Sequence, residues 1–414
     1  MKGLAPDGGL YMPEAIPSLP TDFFRRLPEM EFHEIALTVA SSLLGNAVPR
    51  AELERIVRHA VAFEAPVVPV DTGVFAVELF HGPTLAFKDF GARFMSQLLG
   101  YFARSEEKEI VILVATSGDT GSAVANGFHR IPGTRVVVLY PSGKVSELQE
   151  KQFTTLGDNI TAVEVDGTFD DCQRLVKTAF QDDDLCKQLF LTSANSINIA
   201  RLIPQAFYYF RAIGQISVDA SIVIAVPSGN FGNLTAGLIA KKMGLPVDRF
   251  VIATNANDVV PEFLKTKEFR PRPSIQTISN AMDVGNPSNF YRLLSLYDGN
   301  VEALKRDVVG YAVTEDETRQ AIADVYRRTG YVMDPHGAVA FSALMRFLST
   351  AVNPHTGLFL ETAHPAKFPE VVEPVIGSKV QIPDTLSAFL GRRKQTITSG
   401  AEYTEFRAQL LSIR

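Results

Sequence analysis

EIVILVATSGDTGSA, residues 109–123, joins a continuous apolar run to a cluster of small residues that carry hydroxyl groups. The run Ile110–Ala115 has no alternating polar positions, which is typical of a strand covered by helices on both faces. The small polar residues that follow it indicate the N-terminus of a helix. A buried strand that leads directly into a helix is the repeating unit of doubly wound α/β folds.

The same order of strand and helix recurs along the chain. Alternation of apolar and polar residues indicates one more strand at Gly73–Leu79. Four further apolar runs, each followed by a helical pattern, indicate buried strands at Arg135–Tyr140, Asn159–Val165, Ser221–Val226 and Phe250–Asn255. We therefore predict an α/β protein with two doubly wound α/β domains.

The residues before these strands have a different character. Glu31–Leu44 and Ala51–Phe63 carry apolar residues at helical spacing, and Pro66–Asp71 is interpreted as a linker. We predict three consecutive ranges, which are an N-terminal helical segment over 1–72, an α/β domain over 73–215 and a second α/β domain over 216–414.

Length and composition exclude several classes of protein. The 414 residues are too many for one simple core. Hydrophobic residues make up 46% of the chain and charged residues 21%, which is typical of a globular protein rather than a disordered one. The net charge is −6 and the basic residues are scattered, so we do not expect nucleic acid as a partner.

Targeting and redox signals are also informative. No signal peptide begins the chain and no apolar run is long enough to span a bilayer, so we predict a cytoplasmic protein without a membrane partner. Cys172 and Cys186 have neither CxxC spacing nor neighbouring histidines. We expect free thiols and no metal site.

The first segment that can carry chemistry is HGPTLAFKDF, residues 81–90. A Gly-Pro turn leads to Lys88, which lies among phenylalanines. Burial of an ammonium group is costly, and burial favours the neutral amine, which is the nucleophile that forms an imine. The alternative is a lysine that reaches solvent from the start of an ordinary helix.

The second segment is TSGDTGSA, Thr116–Ala123, which directly follows the opening strand. Small residues and hydroxyls at a helix N-terminus offer free N–H groups and side-chain donors to an anion. The alternative, an ordinary capped helix start, explains Ser117 or Asp119 but not the whole density of small polar residues.

The third segment is PSGNFGN, Pro227–Asn233, again between a buried strand and a helix. Its glycines allow close approach of the backbone, and turn amides can bind a phosphate. The segment matches neither a Walker A loop nor a GxGxxG fingerprint, which argues against nucleoside triphosphates and dinucleotides.

The fourth segment is NSINIAR, Asn195–Arg201. Its amide and hydroxyl groups begin a helix, and Arg201 follows one turn later. An arginine with amide donors binds a phosphate or a carboxylate well. The alternative is helix capping with a solvated arginine.

Together these segments resemble fold-type II pyridoxal-phosphate enzymes, and most closely the threonine synthase family. HGPTLAFKDF is similar to the segment of that family that carries the Schiff-base lysine, ATSGDTGSA to its substrate loop, SGNFGN to its cofactor phosphate loop, and NSINIAR to its NSxNxxR segment. AMDVGNPSNF (281–290), MDPHGA (333–338) and ETAHPAKF (361–368) also resemble family segments in the expected order. The resemblance runs from Gly3 to about Pro369.

The resemblance implies pyridoxal 5'-phosphate as the cofactor and Lys88 as the catalytic residue that binds it. It implies that the cofactor phosphate is bound by Gly229, Asn230, Phe231 and Asn233. It also implies that the pyridine nitrogen of the cofactor faces Thr362. It implies that the substrate carboxylate is bound by Thr116, Ser117, Gly118, Asp119 and Thr120. The substrate phosphate is then bound by Asn195, Ser196 and Arg201. His336 and His364 receive no role, because a structural histidine is the simpler interpretation.

The activity implied by the resemblance is a lyase reaction that converts O-phospho-L-homoserine and water to L-threonine and phosphate, the last step of threonine biosynthesis. The enzyme is expected to be a monomer or a small homo-oligomer. One alternative is a lyase or dehydratase on the same scaffold that releases a 2-keto acid and ammonia. Another is a non-catalytic module that binds a phosphate or a nucleotide.

The sequence departs from the family pattern in two places. It opens at GLAPDGGLYMP (Gly3–Pro13), where family members usually carry further residues, so the expectation is a missing N-terminal strand or a misassigned start. Many proteins of this fold carry Asn at the position of Asp119. An acidic side chain near the cofactor or the substrate changes local proton affinities.

Overall fold

The computed structural model describes residues 3, 5, 8–217 and 220–413 of the chain. The opening segment GLAPDGGLYMP therefore lies partly outside the described residues. In the described part of the chain, no helix is both long and apolar enough to cross a membrane.

Strands and helices alternate through most of the chain. The strands are β1 (Val67–Asp71), β2 (Val74–Glu78), β3 (Ile110–Ala115), β4 (Thr134–Pro141), β5 (Ile160–Val165), β6 (Phe190–Ser193), β7 (Ser221–Pro227), β8 (Arg249–Thr254), β9 (Val308–Ala312), β10 (His355–Glu361) and β11 (Ile397–Ser399). The helices are α1 (Thr21–Arg26), α2 (Phe32–Leu44), α3 (Arg50–Ala60), α4 (Lys88–Ala103), α5 (Asp119–Phe128), α6 (Glu147–Thr154), α7 (Phe169–Gln181), α8 (Asp183–Gln188), α9 (Ile199–Leu202), α10 (Gln205–Gly214), α11 (Gly232–Lys242), α12 (Val259–Thr266), α13 (Phe290–Ser295), α14 (Val301–Asp307), α15 (Glu315–Thr329), α16 (Pro335–Thr350), α17 (Pro369–Ile376), α18 (Asp384–Leu390) and α19 (Tyr403–Ser412).

Several helices begin where the sequence supplies a side-chain cap. Thr168 and Thr314 form capping boxes at the starts of α7 and α15, so that backbone donors left free by the helix find acceptors. Asp334 caps α16 by accepting from two backbone N–H groups, with a proline at the first helical position. Local sequence therefore sets these helix starts.

The chain forms two compact units, each made of non-consecutive segments. Unit 1 comprises Met1–Tyr11, Lys88–Arg201 and Ile382–Arg414, and unit 2 comprises Met12–Phe87 and Leu202–Gln381. The consecutive ranges 1–72, 73–215 and 216–414 stay a prediction, and packing groups the residues differently from them. The difference arises because β2 pairs with β10, far along the chain, rather than with the strands that follow β2 in sequence.

Unit 1 contains a five-stranded parallel sheet with the strand order β11-β5-β4-β3-β6. Every residue of β3 is buried, because α5 and α7 both pack against this part of the sheet. One hydrophobic core joins Val111 and Leu113 of β3 to Leu175 of α7 and Phe406 of α19. The continuous apolar run in the sequence thus corresponds to a strand covered on both faces.

Unit 2 contains a six-stranded sheet with the order β1-β2-β10-β7-β8-β9, in which only β1 runs antiparallel to its neighbour. Helix α16 packs against β7, β8 and β10. Together with unit 1, this largely parallel sheet confirms the predicted α/β class, and α1, α2 and α3 form the predicted N-terminal helical segment.

The interpretation of Pro66–Asp71 as a linker is wrong. Residues Val67–Asp71 form β1, which pairs antiparallel with β2 at the edge of the sheet. Pro69 concealed the strand in the sequence, since proline lacks a backbone N–H group and is tolerated mainly at sheet edges and irregularities. The pairing register indeed shifts between Pro69 and Asp71.

Candidate active site

In unit 1, Lys88 is the first residue of α4, and its side chain is 16% exposed. Its Nζ atom lies 4.0 Å from Oδ2 of Asp119, whose side chain is buried. The other carboxylate oxygen of Asp119 accepts a hydrogen bond of 2.8 Å from Nε2 of Gln149. Asp119 therefore faces the Lys88 amine, and Gln149 fixes the orientation of its carboxylate.

The loop between β3 and α5 is organised around the hydroxyl group of Thr116. Its Oγ1 accepts from the backbone N–H groups of Gly118 and Gly121 at 2.9 and 2.8 Å. Gly118 has φ +141°, and a Cβ atom there would lie 2.5 Å from Oε1 of Gln149. Only glycine fits this position, so the close contact between the loop and Gln149 depends on it. Ser117 and Thr120, at the same turn, are partly exposed.

The segment Asn195–Ser196 lies beside this loop. β3 and β6 are neighbouring parallel strands, so their carboxyl ends meet at the same sheet edge. The Asn195 Nδ2 group donates to the carbonyl oxygen of Ala115, the last residue of β3, at 3.1 Å. Unit 1 thus brings together Lys88, the loop Thr116–Thr120 and the segment Asn195–Ser196.

Arg201 is only 3% exposed and lies within unit 1. Its Nη1 group donates to the carbonyl oxygen of Ala194. Burial lowers the pKa of Arg201 to about 10, and nearby Asp89 partly offsets this shift. A Cβ atom on Gly91 would lie 2.7 Å from the Arg201 carbonyl oxygen and 2.9 Å from its Nε, so a glycine in α4 is what admits the arginine.

In unit 2, the turn Ser228–Phe231 joins β7 to α11. Phe231 has a left-handed backbone, φ +61°, and precedes α11 without a side-chain cap on the helix. The first backbone N–H groups of an α-helix have no acceptor within the helix, and they favour an anion. A Cβ atom on Gly229 would lie 2.7 Å from Cα of Met282, so the turn packs tightly against the segment Ala281–Met282.

Asn233, in the first turn of α11, is a buried side chain with one unsatisfied donor. Its Oδ1 accepts hydrogen bonds of 2.6 and 2.7 Å from the hydroxyl groups of Tyr208 and Tyr209. Its Nδ2 has no hydrogen-bond partner among the described residues. A buried amide donor without a partner is costly, and a bound anion would satisfy it.

Thr362 follows β10 and is buried. Its carbonyl oxygen accepts from the backbone N–H of Phe87 at 2.9 Å, and Ala363 forms an antiparallel bridge with Ala86. Phe87 is the residue before Lys88 in the chain. The backbone of Thr362 is therefore hydrogen-bonded to the segment that leads into α4.

A buried acidic cluster supports the Thr362 turn. Asp334 accepts from Nδ1 of His336 at 2.5 Å and from the backbone N–H of Ala363 at 3.4 Å. Burial raises the pKa of Glu361 well above its ordinary range, and the neighbouring Asp334 adds to that shift. Burial also opposes ionisation of Asp334, but His336 holds the pKa of Asp334 below its ordinary value. These two shifts favour the negative charge on Asp334 and the proton on Glu361.

His364 caps a short helix next to the Thr362 turn. Its Nδ1 accepts from the backbone N–H of Ala366 at 3.1 Å and so caps the short 3-10 helix Pro365–Lys367. An acceptor nitrogen carries no proton. Burial, with further contributions from His81 and Lys367, lowers the pKa of His364 to about 4.

This pKa predicts acid sensitivity. Between pH 6.5 and pH 4 the unfolded chain binds a proton at His364 that the folded chain does not, so stability is present above pH 6.5 and is lost as the pH falls. The wild type should lose up to about 3 kcal/mol more free energy of unfolding over this interval than His364→Asn, which keeps the cap but cannot titrate. Urea unfolding of both proteins at a series of pH values measures this difference. Parallel curves would contradict the prediction.

Several site residues have no clear signal in the sequence. Gln149 lies in an ordinary amphipathic helix, and nothing in its surroundings indicates contact with Asp119. The Asp-Pro pair in the sequence indicates that Asp334 caps a helix. The sequence does not indicate that Asp334 also accepts from the backbone N–H of Ala363. No group of three or more His, Cys, Asp or Glu side chains able to hold a metal ion occurs among the described residues.

Comparison with known proteins identifies the family. Residues 63–359 match the family model described as "Pyridoxal-phosphate dependent enzyme", residues 1–61 match "Threonine synthase N terminus", and residues 337–409 match "Threonine synthase, C-terminal". The chain is 47% identical over 388 residues to the threonine synthase of Escherichia coli strain K12, an alignment that covers 93% of this chain and 89% of that protein. The chain belongs to the threonine synthase family.

Solved structures of threonine synthases agree with this family. The crystal structure of the Escherichia coli threonine synthase matches with a TM-score of 0.91 and 44% identity, over 99% of this chain and 95% of that one. The pyridoxal-phosphate-bound threonine synthase of Brucella melitensis matches with a TM-score of 0.91 and 35% identity, over 99% and 94%. The hypothesis of a non-catalytic binding module is therefore wrong, since the chain is a pyridoxal-phosphate-dependent lyase of the threonine synthase family.

The residues of unit 2 fit the cofactor of this family. A phosphate needs donors, and the turn before α11 offers free backbone N–H groups together with the unsatisfied Nδ2 of Asn233. Because Gly229 has no side chain, the backbone of this turn packs directly against the backbone of Met282. This donor set fits the phosphate of pyridoxal phosphate.

Proposed function

We propose that this member of the threonine synthase family converts O-phospho-L-homoserine and water to L-threonine and phosphate. The observation that carries the proposal is the pairing of the Lys88 amine with the buried Asp119 carboxylate, within a loop of small polar residues. An amine held at a carboxylate can gain and release protons repeatedly, and this reaction requires proton transfer at adjacent carbon atoms.

The cofactor contacts that we propose follow the same segments. Lys88 would hold pyridoxal 5'-phosphate at its aldehyde group. The cofactor phosphate is assigned to Gly229, Asn230, Phe231 and Asn233, and the pyridine nitrogen to Thr362. Support comes from the free donors at the start of α11 and from the buried acidic cluster that anchors the Thr362 turn. When bound, the cofactor supplies an electron sink for the carbon that bears the substrate amine.

Lys88 is the proton carrier in this proposal. Its Nζ atom takes the proton from Cα of the substrate and later returns one. Over the whole reaction, the bond between Cγ and the phosphate oxygen breaks, and the protons removed from Cα and Cβ are replaced at Cα and Cγ. Water supplies a hydroxyl group at Cβ and its remaining proton to the released phosphate. Asp119, with Nζ of Lys88 at 4.0 Å and Gln149 on its other oxygen, orients the amine and balances its charge.

We assign the substrate anions to the carboxyl edge of the sheet in unit 1. The carboxylate is assigned to the loop Thr116, Ser117, Gly118, Asp119 and Thr120, and the phosphate to Asn195, Ser196 and Arg201. Within this set, the Thr116 hydroxyl is already engaged by the loop backbone, so its part is to shape the loop. Arg201 contributes a buried positive charge directly behind the segment that carries Asn195.

A single incubation tests the proposed reaction. Purified protein with bound cofactor is mixed with O-phospho-L-homoserine, and threonine, 2-oxobutanoate, ammonia and phosphate are measured in the same samples. Threonine and phosphate should form in equal amounts. Equal amounts of 2-oxobutanoate, ammonia and phosphate would instead support the alternative that releases a 2-keto acid, and an absence of phosphate release would exclude both reactions.

Arg201→Ala tests the assignment of the substrate phosphate. A charged hydrogen bond to a buried phosphate contributes roughly 1.5–3 kcal/mol, so KM for O-phospho-L-homoserine should rise by about ten-fold or more while cofactor affinity changes little. Steady-state kinetics and cofactor titration measure the two effects. Arg135→Ala is the matched control, because Arg135 also lies in unit 1 and donates to a backbone carbonyl oxygen, and its KM should be unchanged. Loss of cofactor affinity in Arg201→Ala would place Arg201 at the other phosphate.

We propose, in addition, that the enzyme acts in the cytoplasm and works as a monomer or a small homo-oligomer. Both proposals rest on membership of the threonine synthase family. Light scattering of the purified protein measures the oligomeric state.

A further inference from the structure

Arg292 lies on α13 and is 1% exposed. Burial lowers the pKa of Arg292 to about 10. A guanidinium group removed from water needs hydrogen-bond acceptors in fixed positions, since burying a charge without them is costly. The acceptors of Arg292 therefore indicate what the charge is there to hold.

Arg292 is connected to the turn before α11 by two hydrogen bonds in series. Its Nη1 group donates to Oδ1 of Asn289 at 2.7 Å, and Nδ2 of Asn289 donates to the carbonyl oxygen of Asn230 at 2.9 Å. Because the guanidinium occupies the amide oxygen of Asn289, the amide can present only its NH₂ group to Asn230. Asn289 is completely buried, so water does not compete for either bond.

The side chain of Asn230 is held by the same segment of the chain, next to Asn289. Its Oδ1 accepts from the backbone N–H of Ser288 at 2.6 Å. Gly229, one residue earlier, packs against Cα of Met282 with no room for a Cβ atom. The segment Ala281–Arg292 thus forms the support of the turn Gly229–Phe231, and all of these residues belong to unit 2.

We propose that Arg292 is a positioning residue for the cofactor phosphate, which acts through Asn289 on the backbone of Asn230. The inference rests on the proposed assignment of Gly229–Asn233 to that phosphate. Arg292 keeps the backbone N–H groups of the turn aimed at the anion, and its positive charge adds to their field in a medium that screens charge weakly. It does not touch substrate or the reacting atoms.

The experiment compares two ligands on the full chain freed of cofactor. Pyridoxal 5'-phosphate and pyridoxal share the aldehyde and the ring, but only the first carries the phosphate. Arg292→Met should lower affinity for pyridoxal 5'-phosphate by about ten-fold and leave affinity for pyridoxal nearly unchanged. Arg292→Lys keeps the positive charge but loses the planar set of N–H donors of the guanidinium group. Its affinity for pyridoxal 5'-phosphate should lie between those of the wild type and Arg292→Met.

Controls separate positioning from general stability. Tyr297→Phe removes a buried hydrogen bond to Asp307 near α13 and should leave the ratio of the two affinities at the wild-type value, even if the unfolding midpoint falls. Asn289→Ala should lower the affinity for pyridoxal 5'-phosphate relative to that for pyridoxal, as Arg292→Met does. The double variant should be little worse than either single variant, because both remove the same connection.

Three outcomes would overturn the inference or locate its failure. If Arg292→Met weakens both ligands equally, the arginine has a structural role only. If Arg292→Met does not fold, Asn289→Ala still decides, and a wild-type ratio in that variant contradicts the inference. Asn233→Asp reports on the underlying assignment, since an unchanged ratio of the two affinities in that variant means that Gly229–Asn233 does not bind the phosphate.

Discussion

Lys88→Ala should lose nearly all turnover of O-phospho-L-homoserine and the visible absorption of lysine-bound pyridoxal phosphate. By the proposed assignment, the variant lacks both the nucleophile that binds the cofactor and the proton carrier, and loss of general acid-base catalysis alone lowers rates by about 10²–10⁴-fold. The phosphate donors of unit 2 remain intact, so the variant should still bind the cofactor non-covalently. Absorbance spectra and product assays on the same preparation measure both effects.

A second buried lysine provides the control. Lys367 is buried in unit 2 and donates to the carbonyl oxygen of Thr84 at 2.8 Å. Lys367→Met should lower stability but keep the visible band, because that amine is engaged by the backbone. A variant Lys88→Ala that keeps both band and turnover, or a Lys367→Met protein that loses the band while Lys88→Ala keeps it, would show that Lys88 is not the cofactor lysine.

Asn233→Asp should weaken binding of pyridoxal 5'-phosphate by about 100-fold or more. The new carboxylate still accepts from Tyr208 and Tyr209, so the fold of α10 and α11 keeps these contacts. The change replaces the buried Nδ2 donor with an anionic oxygen beside the proposed phosphate site, which combines a lost hydrogen bond with charge repulsion. Titration of the cofactor into the cofactor-free protein measures the change.

The matched control is Tyr209→Phe, which removes one of the two donors to Asn233 and leaves the amide and its neutral charge. Its cofactor affinity should stay within a few-fold of the wild type. High concentrations of pyridoxal phosphate should restore most of the turnover of Asn233→Asp by mass action but none of that of Lys88→Ala. If Asn233→Asp binds the cofactor normally, the phosphate does not lie at α11, and the loop Ser117–Ser122 becomes the next candidate.

Much of the fold could be predicted because local signals and burial agree. The run Ile110–Ala115 became β3 without change, and Phe169–Phe180 became most of α7, since a continuous apolar run and a capped amphipathic pattern each have one favourable packing. Short or edge strands could not be predicted in the same way. β6 has four residues and β1 contains Pro69, so neither carries a pattern that distinguishes it from a loop.

The individual loops of the candidate site could also be predicted, but their partners could not. TSGDTGSA and SGNFGN indicate anion-binding helix starts by themselves, because the free N–H groups depend only on local backbone. The decisive contacts join residues that are distant in sequence. Asp119 faces Lys88 and is held by Gln149, and Asn289 donates to the backbone of Asn230. No periodicity or spacing encodes such pairs.

By itself, the sequence determined the α/β class, several of the buried strands with the helices that follow them, and the resemblance to the threonine synthase family. These features reside in local patterns of apolar, small and polar residues, whose conformational preferences act over a few residues. Only the tertiary structure decided that β2 joins the sheet of β10, that Asp119 pairs with Lys88, and that Arg292 is buried behind Asn289. Those outcomes depend on which buried surfaces and polar groups can be satisfied together in three dimensions, and this is a property of the packed chain rather than of any one segment.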